Sequence, residues 1–109
     1  MERKEIFAYI KDNYNVSPEY LWSDTPEFAV FRHENSKKWF GIIMNVNGEE
    51  YFNVKTDPNY SDLLRNSYNY IIPAYHMNKE HWNTIIVSRK IDKNLFFELL
   101  EQSYELTKK

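Results

Sequence analysis

The chain has 109 residues, 42% of them hydrophobic and 17% aromatic, which suits one folded domain spanning residues 1–109 and excludes a disordered chain. A formal net charge of -2 and a pI near 5.9 exclude a globally polycationic protein, so contact with nucleic acid requires a local basic patch. With no cysteine there is no disulfide framework, thiolate nucleophile or sulfur-bound metal, a composition that fits a reducing cytoplasm.

In chain order, Glu2 to Tyr14 places Ile6, Phe7, Ile10 and Tyr14 at helical spacing, with Lys4, Lys11 and Asp12 opposite, and predicts an amphipathic first helix. Asn15 to Glu27 carries Pro18 and Pro26 and predicts a loop pinned to the core by Trp22, with Tyr20 and Leu21 also sheltered. From Phe28 to Lys55 the period becomes two, and Phe40, Ile42, Met44 and Val46 are expected on one strand face. A polar reversal at Glu34–Lys37 and the Asn47-Gly48 turn divide this stretch into three antiparallel strands, because Asn and Gly both tolerate positive φ.

Asp57 and Pro58 predict the start of a second helix, with Tyr60, Leu63 and Leu64 as its apolar stripe. Tyr68 to Trp82 has no clean period and reads as an irregular connection with some extended backbone. Thr84 to Val87 reads as a buried fourth strand. Asp92 then caps a last helix that turns Leu95, Phe96, Leu99, Leu100, Tyr104 and Leu106 inward. The expected fold class is α+β, in the order α-β-β-β-α-β-α, an antiparallel sheet with helices packed on one face. No apolar run approaches the roughly 20 residues of a membrane span, so no membrane association is expected.

The segment Pro73-Ala74-Tyr75-His76-Met77-Asn78-Lys79-Glu80-His81-Trp82 resembles the signature of the MmcQ/YjbR family: proline, glycine, tyrosine, histidine, an aliphatic residue, asparagine, lysine, a basic residue, histidine, tryptophan. Lys38-Trp39-Phe40, Lys55-Thr56-Asp57-Pro58 and Ser103-Tyr104-Glu105-Leu106 also resemble that family's motifs, in the same order along the chain. Ala74 stands at the common glycine, which points to negative φ there, and Glu80 stands at the common basic residue. The resemblance implies an α+β fold similar to that of the bacterial frataxin homologue, with two β-hairpins likened to DNA-binding wings. On that implication the expected partner is DNA, with nucleic-acid contacts from Lys37, Lys38, Lys55 and Arg65.

The residues themselves add a candidate surface at His76, Asn78, Lys79, His81, Trp82 and Asn83, where hydrogen-bonding side chains crowd a segment without a regular period. The same residues also fit a structural role, with Asn78 and His81 capping turns and Tyr75 and Trp82 filling the core. A second functional reading is a protein-interaction or small-molecule module with a pocket near His76 and Trp82, lined also by Tyr75 and the loop around Trp22 and placed between the sheet and the helices. His76 and His81 lack the spacing and the carboxylate companions of a zinc site, and His33 reads as a solvated residue at a hairpin turn. No nucleophile sits in a triad or elbow context, and two isolated glycines make no phosphate loop. Neither a catalytic role nor a cofactor or metal is therefore expected.

Overall fold

Two acidic caps set helix starts where the sequence places them: the Asp57 carboxylate accepts from the backbone N–H of Asn59, and Asp92 accepts from those of Asn94 and Leu95. The computed structural model describes residues 1–109. Its elements are α1 (Arg3–Tyr14), β1 (Ala29–Arg32), β2 (Trp39–Val46), β3 (Glu49–Lys55), α2 (Pro58–Ser67), β4 (Ile71–Pro73), β5 (Trp82–Ile86) and α3 (Lys93–Leu106). The order is thus α-β-β-β-α-β-β-α, one strand more than the sequence predicts. The added β4 is three residues long and ends on Pro73, so it offers no periodic signal and occupies a sheet edge, where a missing N–H is tolerated.

The strands form one antiparallel sheet in the order β1-β2-β3-β5-β4. Asn47 and Gly48 join β2 to β3 with φ of 52° and 85°, the two positive values that a tight primed hairpin turn needs. No helix is long and apolar enough to cross a membrane.

All three helices contribute to a core on one face of this sheet. Ile6 and Ile10 of α1, Leu64 of α2, and Leu95, Phe96, Leu99 and Leu100 of α3 pack with Phe31, Phe40, Ile43, Phe52, Val54 and Ile85. The α2 stripe is rotated from the expected one: Leu63 is 60% exposed, while Ser61 is buried beneath the helix. Ser61 Oγ accepts from Nδ2 of the buried Asn83, and this polar link fixes the roll of the helix.

The even-numbered residues of β2 do not share a face. Phe31 pairs with Gly41 but Arg32 pairs with Trp39, so Phe40 is an unpaired extra residue in a β-bulge. A one-residue insertion inverts the alternation that follows it. Phe40 and Ile43 therefore join the helix-side core, while Trp39, Ile42, Met44 and Val46 belong to a second apolar cluster with Val30.

Candidate functional site

The second cluster lies on the sheet face that the helices leave open, and two irregular segments cover it. Val30 and Glu19 exchange backbone hydrogen bonds of 2.9 Å in both directions, which moors the 15–28 loop to β1. Trp22 from this loop packs at right angles to both Phe28 and Trp39, with ring centroids 6.2 and 5.8 Å apart. Trp22 thus anchors the loop to the open-face cluster rather than to the main core, and Tyr20 and Leu21 are exposed.

The covering segment 74–82 is held by buried polar groups. Asn53 and Thr84 are cross-strand partners on the open face, and the Thr84 hydroxyl donates to Asn53 Oδ1. Thr84 Oγ1 accepts from the Tyr75 N–H at 3.0 Å, and Asn53 Nδ2 donates to the Tyr75 carbonyl at 3.0 Å. Both main-chain groups of Tyr75 are thereby satisfied at the sheet, and the next residue, His76, takes a left-handed φ of 64°. Farther along, Asn78 Oδ1 accepts from the N–H groups of Glu80 and His81, and α2 reaches in through Arg65. Arg65 donates Nε–H to Asn83 Oδ1 at 2.6 Å and Nη2–H to the Lys79 carbonyl.

Between the two covering segments is a cavity of about 310 Å³ lined by Trp22, Asp24, Thr25, Phe28, Trp39, Ile42, Met44, His76 and Met77. It lies on the helix-free face and not, as expected, between the sheet and the helices, where the core fills the space. A neighbouring hollow of about 260 Å³ is lined by Lys38, Trp39, Lys55, Met77, Trp82, Leu106 and Thr107. Trp39 and Met77 line both. All three tryptophans of the chain thus stand along one groove. Volumes near 300 Å³ with an aromatic lining and few polar groups are those of small-molecule sites.

Of the candidate surface residues, His76 and Trp82 line the two hollows. Asn78 is a turn cap, Lys79 is exposed at that turn, and the His81 carbonyl accepts from the Thr56 N–H at 2.8 Å. Asn83, expected at the surface, is buried against α2, because it alternates with Trp82 across the sheet. Tyr75, weighed as a core residue, is exposed, and Trp82 is half-buried on the open face. Among the four expected nucleic-acid contacts, Lys38 and Lys55 line the second hollow, Lys37 lies on the β1–β2 turn with φ 64°, and Arg65 is turned inward. Lys55 and Trp82 are cross-strand partners, which brings a cation beside an indole.

His33 is a correction of another kind. It is buried, with Nε2 2.8 Å from Thr107 Oγ1 and its ring against those of Phe40 and Tyr104. Desolvation holds its imidazole below the usual histidine pKa, an effect that Lys108 reinforces. The contact spans 74 positions, so nothing near His33 in the chain reveals it.

Asp24 and Thr25 are site residues that the sequence did not single out, and Trp39, Met44 and Met77, read there as motif or strand residues, were not assigned to a pocket. The bulge delivers Trp39, and the Asn53–Thr84 network delivers Met77. No group of three or more His, Asp or Glu side chains is arranged to hold a metal ion.

Comparison with known proteins sets this geometry in a family. The chain is 42% identical to Bacillus subtilis YyaQ with 99% of both chains covered, and 35% identical to Escherichia coli YbdF over 81% of this chain and 70% of that one. A crystal structure of a Pseudomonas syringae protein superposes with a TM-score of 0.92 at 32% identity, covering 98% of this chain and 99% of that one. The Deinococcus radiodurans protein DR2400, with its DUF419 domain, superposes with a TM-score of 0.83 at 25% identity, covering 100% and 80% respectively. The YjbR family model matches residues 11–106, so the chain belongs to the YjbR family.

Proposed function

We propose that the protein is a non-catalytic binding module for a small, mainly apolar molecule held in the Trp22–Trp39–Met77 cleft. The observation that carries this reading is the aromatic cavity of about 310 Å³ on the helix-free face of the sheet. A chain concerned only with stability gains from covering such a space, because each Å² of apolar surface left in water forgoes about 25 cal/mol. Here the covering segment is instead tied to the sheet at Tyr75 through hydrogen bonds with Asn53 and Thr84, and the space beside that tie stays open.

The basic residues give less support to DNA binding through hairpin wings. Arg65 is engaged within the fold, and the ion pairs Arg89–Glu49 and Arg32–Glu19 neutralise other cations of the strands and their ends.

The test is a titration with the neutral aromatic probe naphthylacetamide, followed through the three indole N–H resonances. Saturable shifts of Trp22 and Trp39 are expected, and Thr25→Phe, which fills the cleft from its lining, should remove them without lowering the melting temperature. Unshifted indoles, together with salt-steep binding to a mixed-sequence duplex between about 50 and 200 mM, would transfer the function to nucleic acid.

A further inference from the structure

The cleft has a chemically distinct end. Lys38 precedes β2 and Lys55 closes β3, and both line the hollow that shares Trp39 and Met77 with the aromatic cavity. Neither belongs to any of the five ion pairs of the molecule, which join Arg3–Glu50, Arg32–Glu19, Arg89–Glu49, Lys93–Glu5 and Lys108–Glu105. No carboxylate lines the hollow beside them, whereas Asp24 lines the aromatic cavity. Two unpaired ammonium groups at one end of an apolar groove, and one carboxylate toward the other, make its polarity directional.

We propose that the ligand is a monoanion: an aromatic or alicyclic body seated in the cavity against the packed Trp22–Trp39 pair, with one carboxylate directed past Met77 to Lys38 and Lys55. This inference rests on the cleft reading and adds the charge and orientation of the occupant. An anion at that end gains charge-assisted hydrogen bonds from the lysines. A second anionic group at the far end meets Asp24, so dianions are disfavoured. Trp82, the cross-strand partner of Lys55, lines the same hollow and supplies its apolar wall.

The experiment compares naphthylacetate with naphthylacetamide, two probes of one shape that differ in charge, on the full chain and on the Lys38→Gln/Lys55→Gln double variant. The indole N–H resonances of Trp22, Trp39 and Trp82 report binding. The acid should bind wild type about tenfold more tightly than the amide, the ratio that two partly exposed ion pairs supply. In the double variant the ratio should fall to about one while the amide binds as before, which also shows that the variant is folded. Equal binding of both probes to wild type, or a preference for the acid that survives in the double variant, overturns the inference and leaves the cleft reading standing. Failure of both probes to shift any indole ends both.

Discussion

At the scale of single residues, two positions carry constraints that their side chains alone do not announce. Gly41 directly follows the bulged Phe40, and a Cβ built there would lie 2.6 Å from Phe52 Cζ and 2.9 Å from Cε1. The Phe52 ring cannot yield, because it is fully buried between Phe31 and Phe96. Gly41→Ala should therefore destabilise by about 1–3 kcal/mol through overpacking, measured by denaturant unfolding; an unchanged midpoint would show that the core has slack. His33 links stability to pH. Burial favours its neutral form, so between its folded pKa and the ordinary value near 6.5 the unfolded chain binds more protons than the folded one. Stability from this group is full above about pH 6.5 and is lost as pH falls towards the folded value. His33→Gln should flatten the dependence of melting temperature on pH over that window, and an identical slope in wild type and variant would refute the assignment.

At the scale of elements, the covering segment depends on α2. Arg65 spans from its helix to the Asn83 side chain and the Lys79 carbonyl, so one guanidinium ties a helix, a strand and a turn. Arg65→Ala should cost about 1.5–3 kcal/mol, the usual worth of hydrogen bonds from a charged donor, and should speed hydrogen exchange of the Glu80 and His81 amides. Arg65→Lys should not restore protection, because an ammonium lacks the planar fork that reaches both acceptors. A loss of stability with unchanged exchange in this turn would mean that the Asn78 cap alone holds it. The same segment shows why element-level reading stopped short. Its order comes from Asn53, Thr84 and Arg65, residues 9 to 31 positions from the groups they hold.

At the scale of the whole molecule, the sheet separates two jobs. Its helix-covered face holds the large core, and its open face holds a smaller aromatic cluster under loops, where the groove lies. The net charge of -2 is distributed so that Arg32 and Arg89 near strand ends are paired with Glu19 and Glu49, while Lys38 and Lys55 are left unpaired at the groove. Sequence by itself determined the features set by neighbouring residues: the acidic caps Asp57 and Asp92, the Asn47-Gly48 turn, the helical stripe of α3 except Leu106, which is 48% exposed at the helix end, the α+β class and the family motif. These follow from local hydrogen bonding and from 3.6- and two-residue periods, which a linear reading can see. Tertiary structure decided the rest. The bulge at Phe40 inverted the alternation of β2 and moved Trp39 to the open face, β4 formed because β5 offered it a partner, and Asn83 and His33 were buried by contacts with α2 and α3. Each of these turns on groups distant in the chain, whose meeting is set by packing rather than by the residues on either side.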